Sequence, residues 1–417
     1  MAISRRKILQ GAAAAAGVAA AGAPGLLLAQ NQPLKIGVMY GLSGPGAVAG
    51  EIFLKGTQIA AAQYNKAGGL LGRQIELVTR DDKFNGAGAI SAGRELAGLG
   101  INLMIGGSQT VTALALLPIL QELKAVLTIP ASSGMGITHE NFTRNAFRTL
   151  GNGYIQYRSL GRAMAEQFPK VMKWQAIVPD SAFGRDAGKL FGQAMREYHA
   201  NAKSKDFAVL ETMLVGATQT DFRQQINTLM NSGVEGIFFA PVGSSEVSFF
   251  QQIRSVGLDK KLKAICEAGG DFIARTLGKN MPDSMWGPIF WPYQVEPYKS
   301  NKLGQQLLKD HLEMFKDEHP HTAISLGYRA AQALFEGVKK AKSTDTDAVI
   351  RAMEGLTFDT VTGPYRIRKE DHQGLGLTFI ANFVPSDKAP GFTVKAVQKV
   401  SEESVVESPS PGAEYVM

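Results

Sequence analysis

The sequence predicts an α/β protein: two Rossmann-like open-sheet lobes joined by a multi-crossover hinge. Three observations predict it. From Pro33 onward, short continuous apolar runs alternate with helix-length patterns, the order of βαβ units whose parallel sheet is buried on both faces. That order breaks at "NAFRTLGNGYIQ" and then begins again. The region after about Trp291 has long helical patterns but too few strands for a sheet of its own. It should therefore complete both lobes, crossing between them more than once.

In the first unit, strands are expected at Lys35–Tyr40, Gln74–Arg80, Leu103–Ile105 and Val126–Ile129. Helices are expected between them at Ile52–Lys66, Ala87–Leu99 and Ala113–Lys124. In the second unit, the strands are Trp174–Val178, Ala208–Leu214, Gly236–Ala240 and Lys263–Glu267, with helices Arg185–His199, Asp221–Ser232 and Ser245–Val256. The last region offers helices Lys302–Phe315, Ala323–Lys342 and Asp345–Glu354, then strands near Pro364–Ile367 and Thr378–Val384. The polar, Pro- and Ser-rich stretch 401–417 is expected to be loosely ordered. Ligands of open α/β sheets bind beyond the carboxyl ends of the strands. With two lobes facing each other, those ends line one cleft.

Composition narrows the function. The 417 residues are 45% apolar and 19% charged, an ordinary globular balance. The formal charge is +7, and Arg5, Arg6 and Lys7 account for three of it, leaving +4 from Gln30 onward. No basic stripe with interleaved aromatics points to nucleic acid. The single cysteine, Cys266, allows no internal disulfide, and no Cys/His set has zinc spacing. Neither metal nor cofactor is expected.

The first 29 residues read as an export signal: a basic start, an Ala-rich apolar stretch, and a cut expected after Ala29. "SRRKILQ" resembles the twin-arginine pattern, with Ile8 where Phe is usual. The working product is thus an exported, periplasmic protein.

The glycine turn "GLSGPGAVAG" follows the first strand, as a dinucleotide fingerprint would. Its glycines, Gly44, Gly46 and Gly50, fall in G-x-G-x-x-x-G rather than G-x-G-x-x-G spacing. Pro45 removes one of the backbone donors that a pyrophosphate needs. No Walker A run or G-x-S-x-G elbow is present, and the six histidines form no catalytic set. Asp81 and Asp82 read as structural or capping carboxylates. An NAD-dependent enzyme is the least favoured reading.

Several stretches carry a resemblance: "IGVMYGLSGP", "AQYNKAGGLLGRQIELVTRDD", "GINLMIGGSQTVTALALLPILQELKAVLTIPASS", "WQAIVPDSAFGRDAG", "TDFRQQINTLMNSGVEGIFFA" and "GPYRIRKEDHQG". In their order and spacing the chain resembles the periplasmic substrate-binding proteins of branched-chain amino acid ABC transporters, the leucine/isoleucine/valine-binding type. The resemblance implies a type I periplasmic-binding-protein-like fold. It implies lobe 1 from 30–149 plus 291–360, and lobe 2 from 150–290 plus 361–400. It also implies a small-molecule ligand, an amino acid or carboxylate, and delivery to a membrane permease. In "GGSQTVT" it points to Ser108 and Thr110, and in "PASS" to the Ala131 carbonyl and Ser133 hydroxyl. Helix N-terminal N–H groups suit a carboxylate, and a carbonyl with a hydroxyl suits an ammonium. From the second lobe it points to Phe183, and to Glu267 as an acid pairing with the ammonium.

Departures from the family are informative. Phe84 and Gln109 stand where the family carries paired cysteines. Ala49 replaces an aromatic wall residue, and Ala323 replaces a large aromatic before Tyr328. New aromatics cluster in "MWGPIFWPYQVEPY": Trp286, Phe290, Trp291, Tyr293 and Tyr298. The expectation is a non-catalytic receptor for a ligand bulkier than leucine, such as an aromatic acid or aromatic amino acid. A periplasmic sensor on the same fold is the alternative.

Overall fold

The computed structural model describes residues 32–416; the export signal read from the sequence lies outside them. The first sheet contains strands β1 (Leu34–Tyr40), β2 (Ile75–Asp81), β3 (Leu103–Gly106), β4 (Val126–Ile129) and β5 (Ala146–Arg148), all parallel, in the order β2-β1-β3-β4-β5. Helices α1 (Ala47–Lys66), α2 (Gly86–Gly98) and α3 (Thr110–Leu116) connect them. The second lobe begins with α4 (Gly153–Gln167), β6 (Lys173–Pro179), α5 (Ala182–Tyr198), β7 (Ala208–Val209) and β8 (Met213–Val215). It continues through α6 (Arg223–Ser232), β9 (Gly236–Phe239), α7 (Ser244–Ser255), β10 (Ala264–Glu267), α8 (Asp271–Leu277) and β11 (Met285–Pro288).

The chain then returns to the first sheet with α9 (Lys302–Phe315), α10 (Ile324–Ala341) and α11 (Thr346–Met353). Strands β12 (Thr357–Thr360), β13 (Gly363–Ile367) and β14 (Gly374–Leu375) follow. Finally β15 (Leu377–Pro385) and β16 (Phe392–Ser401) join the second sheet, whose order is β16-β15-β11-β10-β9-β6-β7, with β8 also on β6. The chain thus passes between lobes after β5, after β11 and before β15.

Strands β3, β4, β9 and β10 are buried at every position. Each of the two large sheets has an apolar cluster on both faces, which explains why these runs are continuous rather than alternating.

Several expectations need correction. The helix expected to reach Lys124 ends at Leu116 and tightens into a 3₁₀ turn over Leu117–Ile119, because Pro118 cannot donate to the turn before it. The strand expected over Ala208–Leu214 is split. The Glu211 carbonyl accepts from the Gln175 side chain instead of a ladder partner. The last region does form a small sheet, β12-β13-β14, antiparallel throughout.

The tail is packed, not loose. Val405 is buried in the second lobe, and the Gly412 N–H donates to the His139 carbonyl at 2.8 Å. The Tyr415 ring sits edge-on to His139, 5.1 Å between centroids, and to Tyr154 at 6.2 Å. Apolar and aromatic side chains among the polar residues give this stretch surface to bury.

The glycine turn has a packing explanation. Gly44 has φ +65°, open to glycine at little cost. A Cβ on Gly50 would strike the Gly41 carbonyl, and one on Gly46 would strike the Phe84 ring. Helix α1 therefore starts against its own turn. Further along, a Cβ on Gly56 would strike the Ile324 carbonyl, and one on Gly327 the Phe53 carbonyl, so α1 and α10 cross with their backbones in contact. Gly327→Val should destabilise the protein by about 2–4 kcal/mol through overpacking. Urea denaturation would read this as a lower midpoint with an unchanged slope.

Candidate functional site

In the first sheet the strand order reverses between β1 and β3, so the turns after β1, β3 and β4 open at one crevice. Asp81, at the end of β2, fixes the first turn. Its Oδ1 accepts from the Leu42 and Lys83 N–H groups, each at 2.8 Å. Burial would raise the Asp81 carboxyl, but hydrogen bonds from Ser43, Leu42 and Lys83 outweigh it and hold the group below its usual range.

An outer chamber of about 200 Å³ lies at this crevice. Ala49, Ala131 and Ser133 line it, together with Gln109, Phe290 and Ala323. Of the residues singled out from the sequence, Ala49, Ala131 and Ser133 are thus brought together, and the two alanines at aromatic positions face the same space. Thr110 is one residue from the wall. Its Oγ1 accepts from the Gly134 N–H and the Ser132 hydroxyl, both at 3.2 Å, and so shapes the Ser132–Gly134 loop. Ser108 is buried just before it. Phe183 is 50% exposed at the start of α5, edge-on to Tyr157 at 5.7 Å.

Glu267 departs from expectation. It is 0% exposed and lines neither this chamber nor the one beside it. Its Oε2 accepts from the Gly269 and Gly270 N–H groups, and Glu246 of α7 lies within hydrogen-bond reach. Glu246 Oε1 and Glu267 Oε1 are both buried without a donor, which a proton shared between the carboxyls would satisfy. Burial raises both groups, and the charge of Glu267 raises Glu246 further. The pair supports the 267–270 turn that leads into α8. In the sequence it was hidden because its members are on different elements.

Of the new aromatics, Phe290 alone faces the cleft. Trp291 is core, packed 4.7 Å from Tyr293. Trp286 packs on Phe168, and Tyr298 on Phe379.

A second, inner chamber, a tight cavity of about 60 Å³, lies beside the first, against the hinge. The two share Leu150, Gln156 and Phe290. The inner wall adds Tyr157, Ile289, Leu377 and Phe379, with Arg329 and Glu402 as its charged members. No motif marked Arg329 or Glu402. The available signal was one arginine inside the apolar run "ISLGYRAAQALF" of α10.

Arg148, fully buried at the end of β5, ties the hinge to the site. Its Nε donates to Gln373 Oε1 at 2.7 Å, Nη2 to Thr138 Oγ1 at 2.6 Å, and Nη1 to the Gly134 carbonyl. Gln373 Nε2 in turn donates to the Leu150 carbonyl at 2.9 Å. Burial pulls the guanidinium down to about 10, against the nearby Glu407 and Asp371 charges. It remains a cation at neutral pH.

A cleft between two open sheets, walled by strand-end turns and backed by a crossover hinge, defines a two-lobed solute-binding protein. The comparisons place it further: the model of the periplasmic binding protein family matches residues 33–388, and the chain belongs to that family. A leucine-, isoleucine-, valine-, threonine- and alanine-binding protein of Pseudomonas aeruginosa is 24% identical over 331 residues, 79% of this chain and 84% of that protein. An ABC-type branched-chain amino acid transporter structure from Rhodopseudomonas palustris superposes with a TM-score of 0.77 at 24% identity, covering 92% of this chain and all of that one. A solute-binding protein of an ABC transporter from the same species, solved with 3,4-dihydroxybenzoic acid, gives 0.72 at 20% identity, covering 90% and 99%. These relatives are substrate-binding proteins, not enzymes, and so is this chain.

Two outcomes follow. Arg148→Ala should cost about 3–5 kcal/mol, because it strands the groups it bonds; calorimetric unfolding measures it. The raised Glu246/Glu267 pair contributes stability below the ordinary carboxylate range, and loses it as pH rises toward about 7. Glu246→Gln should therefore melt with wild type at pH 4.5, yet be more stable by roughly 1–3 kcal/mol at pH 8.

Proposed function

We propose that this protein is a periplasmic receptor that binds a small acid or amino acid bulkier than leucine between its lobes and delivers it to an ABC permease. One observation carries the reading: Ala49 and Ala323 open the same chamber that Ala131 and Ser133 line. The Ala131 carbonyl and Ser133 hydroxyl, on the loop positioned by Thr110 and following Ser108, receive the ligand's polar head. The space left by the two alanines takes its body. Phe183 closes the mouth from the second lobe, and 30–149 plus 291–360 moves against 150–290 plus 361–400. The fold neighbour solved with 3,4-dihydroxybenzoic acid supports an aromatic acid. The basic, Ala-rich start supports export by the twin-arginine route.

A thermal-shift screen tests the ligand class. Hydroxybenzoates or aromatic amino acids should raise the melting temperature most. Leucine or valine giving the largest rise, with no response to aromatic acids, would sink the reading. In the same screen Ala49→Trp should abolish the aromatic response, by refilling the chamber, while leaving the ligand-free melting temperature within about 2 °C, since Ala49 is only partly buried.

A further inference from the structure

The inner chamber contains an arrangement that the outer site does not explain. Arg329 is 8% exposed, and its guanidinium lies over the Tyr365 ring, 4.7 Å from the centroid. Its Nε is buried without a hydrogen-bond partner. Among the described residues it makes no ion pair within 4.0 Å. The other charged wall residue, Glu402, is already engaged: Oε2 accepts from the Gly376 N–H at 2.8 Å and Oε1 from the Thr378 hydroxyl at 2.9 Å. Burial keeps the Glu402 carboxyl above its usual range although the Arg329 charge pulls it down, so the two groups feel each other without forming a close ion pair.

Burying a guanidinium among side chains with no close counter-ion is costly. The rest of the wall is mainly apolar, with Leu150, Tyr157, Ile289 and Phe379, and has Gln156 and Thr378 as its polar uncharged side chains. A planar donor fork at the end of an apolar chamber is matched by a planar oxyanion on an apolar body. Leu150, Gln156 and Phe290 line both chambers, so the two spaces are neighbours with only these side chains between them.

We propose that Arg329 is a specificity residue that receives a carboxylate at the far end of the ligand, so the preferred ligand is an elongated molecule with a polar head and a distal carboxylate. The head sits at Ala131 and Ser133, the body passes between Leu150 and Phe290, and the distal carboxylate pairs with the guanidinium. This rests on the interlobe reading above, and adds the second charged end.

Calorimetric titration of the purified protein with three matched pairs tests it. The pairs are benzoate and benzene-1,4-dicarboxylate, phenylalanine and 4-carboxyphenylalanine, and norvaline and 2-aminoadipate. In at least one pair the second carboxylate should tighten binding tenfold or more. Arg329→Gln should erase that gain while leaving the partner without the second carboxylate within about threefold. Arg329→Lys, which keeps the charge and loses the fork, should retain part of it. Ligand-free Arg329→Gln should melt no lower than wild type, since it removes an unpaired buried charge. A structural role would instead lower its melting temperature and affect both members of each pair equally. No gain in any pair overturns the proposal, even where benzoate or phenylalanine binds and the bulky-ligand reading stands. A gain confined to 2-aminoadipate and lost in Arg329→Gln upholds Arg329 while the aromatic reading fails. A folded Arg329→Gln that keeps the full gain overturns it as well.

Discussion

The site depends on a buried cation at the hinge. Arg148 bonds the Gly134 carbonyl and Thr138 of the β4 loop on one side, and Gln373 of the last crossover on the other. Gln373 reaches on to the Leu150 carbonyl in the first crossover. Two crossovers and the loop that carries Ser133 are thus held at one point. A guanidinium suits this task, because its fixed fork satisfies several acceptors at once from a place where water cannot substitute. Lobe movement cannot loosen one crossover without disturbing the wall of the outer chamber.

Much of the architecture was legible because the strands announce themselves. Runs such as "LMIG" and "VLTI" must be buried on both faces, and no charged residue interrupts them. What was missed has physical reasons. Helix α4 begins at "GYIQ", straight after an Asn152 cap in a glycine-flanked stretch, and read as a break. Strand β16 is an edge strand with Lys395 and Lys399 along it, and lacks a core signature. That Ala131 and Ser133 would lie together at the strand-end turns was legible because the spacing from "GGSQ" to "PASS" is uninterrupted. Glu267 was misleading: a strand-end acid can face a ligand or another carboxyl, and the deciding residue, Glu246, is on a separate helix. Arg329 was hidden because helical periodicity marks its neighbours as core and says nothing about an absent partner.

In the proposed receptor the two chambers would divide the labour of recognition. The outer one is built from turns, where backbone groups are free to bond a polar head. The inner one is built from hinge residues and strand sides, where backbone groups are already used and only side chains can discriminate. Small residues at Ala49 and Ala323 leave room in the outer chamber, while Gln156 and Phe290 line both spaces.

The packed tail changes the mechanics of this joint. It leaves the second sheet at Glu402, whose N–H donates to the Gly376 carbonyl at 3.1 Å, and is pinned to the first lobe where Gly412 meets His139 at 2.8 Å. Between these points Glu407 accepts from Asn152, and its carbonyl accepts from Arg368 at 2.8 Å. Ten residues of chain reach about 35 Å at full extension, and the intermediate attachments take up much of that slack. The tail is therefore a leash as well as a fourth connection. If the lobes part as proposed, the length of this segment, which meets the inner chamber only at Glu402, limits how far they can do so.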